Sequence, residues 1–93
     1  MNVGILQVAL LVRSAHSLKE KRSVVKSLKE RLRQAFNISI AEVGSQDTWQ
    51  SADLGVAMVG TDVKFVNQVL SQVMNHIEAE RDVEVVDSQM EIL

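Results

Sequence analysis

Leu18, Val24, Val25, Leu28, Leu32, Ala35 and Phe36 recur at steps that only a helix of 3.6 residues per turn gathers into one continuous arc. The segment Ser17-Leu18-Lys19-Glu20 has the S-x-x-E form of a capping box, in which the serine side chain and the glutamate satisfy the first free backbone amides. Together they predict a helix over residues 18–35. Such an arc needs a second apolar surface to cover it, because most helical stability comes from tertiary packing.

Strands supply that surface. Val3 to Val12 is dense in Val, Leu and Ile without helical spacing, and predicts a central strand apolar on both faces. Ile38 to Val43 is short and β-branched, and Gly44 ends it; Leu54 to Val59 is compact and apolar, and Gly60 closes it. Between these two strands Gly44 to Asp53 is expected as a ten-residue connection, long for a hairpin. Thr61 or Asp62 is positioned to cap a second helix, whose Val63, Val66, Leu70, Val73, Met74 and Ile77 make an apolar stripe widened by Phe65 and Val69. Its polar face, with Asn67, Gln68, Ser71, Gln72 and Asn75, is nearly uncharged. From Val83 to Leu93, Val86, Met90 and Ile92 alternate with Asp87, Gln89 and Glu91, as in a strand with one wet face.

The order strand, helix, strand, strand, helix, strand with right-handed crossovers predicts an α+β, ferredoxin-like split βαβ fold. It has a four-stranded antiparallel sheet with both helices on one face. If Leu6, Val8, Leu10 and Val12 meet the helices, then Val3, Ile5, Ala9 and Leu11 lie on the open face. A homodimer or higher oligomer through that face is the simplest cover. Ninety-three residues without linker, repeat or proline make a single domain, 1–93. The apolar start MNVGILQVALLV has no preceding basic residue or small-residue cleavage pattern and is shorter than a bilayer span, so it reads as a strand and not as a leader or membrane segment. With no cysteine there is no disulfide framework or thiolate site, and a cytoplasmic location is expected.

Charge is sorted unevenly. Residues 13–33 hold eight of the ten Lys and Arg against Glu20 and Glu30, a net +6 in a chain whose total is −2. Lys19, Arg22, Lys26, Lys29 and Arg33 follow one another by threes and fours, which draws a cationic stripe beside the apolar arc over roughly 21 Å of helix. A solvated surface helix usually mixes signs; a stripe of one sign points to a polyanion, with RNA first. Lys21 alone intrudes on the apolar arc, and its ammonium is expected to reach water past the edge of the core.

The remaining candidates are fewer. Arg13, Ser14 and His16 precede the positive end of the helix dipole and could help hold a phosphate, although a simple cap explains the same residues. Trp49, the only tryptophan, stands in the long connection beside Gln46, Asp47 and Gln50; it either stacks on a base or pins the loop to the core or to a partner. His16 and His76 lack the spacing of a zinc site, and no glycine belongs to a P-loop or dinucleotide fingerprint, so no metal or cofactor is expected. Glu42, Asp47 and His16 would have to converge in a pocket to make an enzyme; there is no nucleophile-elbow signature, and a salt bridge to the basic helix is the ordinary explanation for Glu42 or Asp47. The expectation is therefore not an enzyme, with no catalytic residue. The first and third strands carry no aromatic residue, which disfavours RNA binding on the sheet face and leaves the helix flank and its neighbouring loops.

HSLKEKRSVVKSLKERLR from His16, FNISIAEV from Phe36, QDTWQ from Gln46 and LGVA from Leu54, in this order and at these separations, resemble the YlxP-like family of small bacterial proteins. That family is a domain of unknown function, and the resemblance covers essentially the whole chain. It implies a ferredoxin-like fold. The family's gene often stands beside those for translation initiation factor two and ribosome-binding factor A, which implies, by association, a part in ribosome maturation or translation. No catalytic residue carries over. The expected function is an RNA-binding or ribosome-associated factor in which Arg13, Lys19, Arg22, Lys26, Lys29 and Arg33 contact phosphates while His16, Gln46, Asp47, Trp49 and Gln50 orient the RNA or a partner. The alternative is an oligomeric interaction module whose basic face meets an acidic protein.

Overall fold

The computed structural model describes all of residues 1–93. Ser17 caps the first helix, α1 (Leu18–Ala35), by accepting a hydrogen bond from the Glu20 amide at 3.1 Å. The Glu20 carboxylate reaches back to the His16 amide, one residue before the cap. The reciprocal capping box is therefore formed, shifted by one residue at its second contact. The other elements are β1 (Asn2–Leu11), β2 (Ser39–Gly44), β3 (Ser51–Gly60), α2 (Val63–Glu78) and β4 (Glu84–Ile92). They form one antiparallel sheet in the order β2-β3-β1-β4, with the two longest strands at its centre. This is the ferredoxin-like arrangement.

Alternation along β1 decides the core. Leu6, Val8 and Leu10, with Val12 just beyond the strand, are buried, and they join Leu54, Val56 and Met58 of β3 and Ile40 of β2 beneath the helices. From above, Val25, Leu28 and Leu32 of α1 and Val66, Leu70, Val73 and Ile77 of α2 close the layer. Gly4 lets α2 approach closely, since a Cβ there would stand 2.8 Å from Leu70 Cδ1 and closer still to Val66.

Two boundaries differ from the sequence expectation. β3 begins at Ser51, so the connection after β2 is only Ser45 to Gln50. Ser45 takes a left-handed backbone, φ 59°, its carbonyl accepts from the Thr48 amide at 3.1 Å, and its hydroxyl donates to Asp53 at 2.8 Å. That tight turn brings Ser51, Ala52 and Asp53 into register with Leu11, Leu10 and Ala9. In β4 the register shifts where it meets Ala9 and Leu10, so Val85 lies opposite Leu10 and packs against the core, while Val86 is left 53% exposed. The bulge moves the apolar position by one residue.

The open face is mixed. Val3, Ile5, Ala57, Val59, Ala41 and Val43 make an apolar half, with Val59 and Val43 well exposed. Toward the other end Gln7, Asp53, Asp87 and Gln89 rim a shallow concavity of about 500 Å³. No helix is long and apolar enough to cross a membrane.

Candidate functional site

The basic residues of α1 have three different fates, set by where each falls around the helix. Buried Val25, Leu28 and Leu32 mark the side facing the sheet, and Lys21 shares it. Contrary to the expectation that its ammonium reaches water, Lys21 is fully buried, 0% exposed. Its Nζ donates to Glu42 Oε2 at 2.7 Å, to the Ser45 carbonyl at 2.8 Å and to the Ser51 carbonyl at 3.1 Å, with the Gln46 carbonyl at 3.4 Å. The stem runs inward because the loop between β2 and β3 folds over the start of α1 and presents its carbonyls there. Glu42, 13% exposed at the side chain, supplies the compensating charge. A buried ammonium has to find all its acceptors inside the protein, and this one does.

That cage joins the two sequence blocks, the start of α1 and the Gln46 to Gln50 loop, into one end of the molecule. The Val12 amide adds to it by donating to the Gln50 carbonyl at 2.8 Å, and the Gln46 side-chain amide donates to the Glu42 carbonyl at 3.2 Å. The loop is thus held mainly by its backbone; the exposed Gln46 turns its amide back to β2, and Asp47, Trp49 and Gln50 are left exposed. Trp49 is 43% exposed and stands outside the core cluster. His16 is exposed as well, while Glu42 is committed to Lys21; no hydrogen bond joins His16, Glu42 and Asp47. The amides at the start of α1 are partly used by Ser17, and the Glu20 carboxylate sits among them, which leaves a poor seat for a phosphate.

The second fate is a partnered one. Arg31 turns toward α2 and pairs with Glu80 at 2.7 Å, whereas Arg33, on the opposite flank, donates to the Ile40 carbonyl of edge strand β2 at 2.8 Å. Arg13, before the helix, pairs with Glu84 at 3.0 Å, both side chains being largely exposed. Surface pairs of that kind contribute little and release easily.

The third fate belongs to Lys19, Arg22, Lys26 and Lys29. None of them has an acidic partner. Since Arg33 reaches β2, the flank they share with it looks away from α2 and runs along the β2 edge of the sheet. Lys19, Arg22 and Lys26 are exposed and Lys29 is half-buried, its stem lying against the protein. The structure therefore keeps the stripe together as an uncompensated positive ridge, with Arg33 anchored at its far end and Arg13 set apart by its own acid.

The family model described as "Protein of unknown function (DUF503)" matches residues 3–90, nearly the whole chain. The chain belongs to the DUF503 family. The "Uncharacterized protein YlxP" of Bacillus subtilis (strain 168) is 35% identical to it over 82 residues, 88% of this chain and 89% of that protein. Both findings agree with the resemblance of the His16 and Gln46 blocks to the YlxP-like family, and in this chain the cage around Lys21 joins the two blocks.

Proposed function

We propose that this DUF503 protein is a non-enzymatic RNA-binding factor, acting on a ribosomal subunit or its precursor, that docks through the outer flank of α1. The observation that carries the reading is the run of Lys19, Arg22, Lys26 and Lys29 without an acidic partner in a chain of net charge −2. A cation already paired inside the protein has little to offer a phosphate, and these four keep their charge for an outside partner. Arg33 keeps donors beyond the one given to Ile40, and Arg13 exchanges Glu84 for a phosphate at small cost. Trp49 and its polar neighbours, at the Lys19 end of the ridge, contact bases or an adjoining protein.

Sedimentation of cell lysate through sucrose gradients at low and high salt tests this directly. Co-migration with a ribosomal subunit at low salt, lost at high salt, is the expected result; migration as a free small species at both salts would overturn it. The second reading, an interaction module that forms oligomers through the open sheet face and meets an acidic protein with the same ridge, draws support from the exposed Val43 and Val59 beside Val3 and Ile5. Capture of a protein partner that survives nuclease treatment would favour it over RNA.

A further inference from the structure

Taking about 100° per residue, Lys19, Arg22, Lys26, Lys29 and Arg33 stand within about 80° of one another around α1, at axial steps of about 4.5 and 6 Å. Their line is nearly straight and lies on the convex outside of a helix, not in a groove. The cations can meet an RNA backbone from one side only, at spacings set by the helix. A single strand is poorly matched to such a surface, because its loose phosphates must each be ordered and its bases need a platform to stack on. A stem brings phosphates already held in a row, with its bases stacked on one another.

The aromatic residues leave that ridge bare except at one end. No strand of the sheet contains one, and the open face carries Asp53 and Asp87 on either side of Ala9, neither of them in an ion pair, which repel a phosphate backbone. Phe36 is half-buried against the core and edge-on to His76, with centroids 5.7 Å apart, and Phe65 stands on α2. Trp49 is the aromatic side chain left beside the ridge. α1 runs away from the Trp49 loop and β2 returns toward it, since Arg33 meets Ile40 while Lys21 meets Glu42, so the loop lies just past the Lys19 end. The Lys21 ammonium holds the carbonyls of Ser45, Gln46 and Ser51, and the Val12 amide holds that of Gln50, which fixes the backbone on both sides of a tryptophan that is 43% exposed. An indole so presented needs little ordering before it stacks on a base.

Building on the proposed docking of RNA at this flank, we infer that the RNA feature recognised is the junction between a stem and an unpaired nucleotide. The backbone of the stem lies along Lys29, Lys26, Arg22 and Lys19, and the first unpaired base beyond it stacks on Trp49. Phosphate contacts along the ridge are blind to sequence, so the ridge supplies affinity and the indole supplies the choice of site along a folded RNA. A stem without such a nucleotide is held by its phosphates alone. An unpaired strand without a stem has a base for the indole but no ordered row of phosphates for the ridge.

Titration of the whole protein with three RNAs tests this: a stem with a single-stranded extension, the same stem blunt-ended, and oligouridine of equal length. Trp49 is the chain's only tryptophan, so its fluorescence is a second readout beside affinity. The extended stem is expected to bind at least about fivefold tighter than either of the others and to quench the fluorescence most. Trp49→Ala should bind extended and blunt stems alike with an unchanged circular dichroism spectrum, because the side chain stands outside the core, and Trp49→Phe should restore the preference. Three results would overturn the proposal while leaving RNA docking at α1 in place: oligouridine bound as tightly as the extended stem, equal binding and quenching by extended and blunt stems, or a preference that survives Trp49→Ala. Failure of all three RNAs to bind would remove the docking reading itself, and this proposal with it.

Discussion

Lys21 and Lys19 are two residues apart in sequence and stand at opposite extremes of environment. One is sealed under a loop with a carboxylate and backbone carbonyls around its ammonium; the other is exposed and makes no salt bridge. A helix turns about 200° between them, so one short basic segment feeds both the interior and the outer flank. The difference teaches that positive charge on α1 has two separate jobs. Lys21 holds the loop that carries Trp49, and Lys19, Arg22, Lys26 and Lys29 form the unpaired surface through which we propose that RNA docks.

Breaking the interior job should have the largest effect. Lys21→Met removes one member of a buried pair and leaves Glu42 and the carbonyls of Ser45, Gln46 and Ser51 without their ammonium donor, a loss of about 3–5 kcal/mol in unfolding free energy from denaturant titration. A loss below about 1 kcal/mol would show that the cage is not a structural joint. Glu42→Gln keeps an acceptor for the ammonium and removes only its charge, so a smaller loss of about 1–3 kcal/mol is expected by the same titration.

The outer job responds in the opposite way. Lys26→Glu with Lys29→Glu should leave unfolding free energy within about 0.5 kcal/mol per site, as surface changes do, while RNA affinity falls at least about tenfold in a filter-binding assay. Equal damage to stability and binding would erase the distinction between the two groups of cations. Arg33 sharpens it, because it serves both. Arg33→Ala should cost about 1 kcal/mol of stability through the lost bond to Ile40 and lower the salt dependence of RNA binding by about one phosphate equivalent.

Much of this frame was legible in the sequence, because it is local. The 3.6-residue period and the capping box defined α1, alternation along β1 sorted Leu6, Val8 and Leu10 to the helix side, and the cationic stripe follows from the same turn angle that makes the apolar arc. The fate of Lys21 was not legible. Its acceptors come from Glu42, Ser45 and Ser51, more than twenty residues away, and no periodicity announces that a loop will fold over a lysine. The connection is shorter than its composition suggests for a related reason: Ser51 and Asp53 are weak strand formers, and pairing with β1 overrides their propensity. The bulge in β4 also escaped, since a strict alternation counted from Met90 back to Val86 has no place for an extra residue. A hint was available at Lys21, the one charged residue within an otherwise apolar arc.

The salt dependence of RNA binding by the purified protein tests the central claim most directly. With four or five phosphates engaged along the flank of α1, the logarithm of affinity should fall against the logarithm of salt concentration with a slope of roughly −3 to −4, and Lys26→Glu with Lys29→Glu should flatten it. A slope near zero, or a double variant that binds as tightly as the wild type at every salt concentration, would contradict the account.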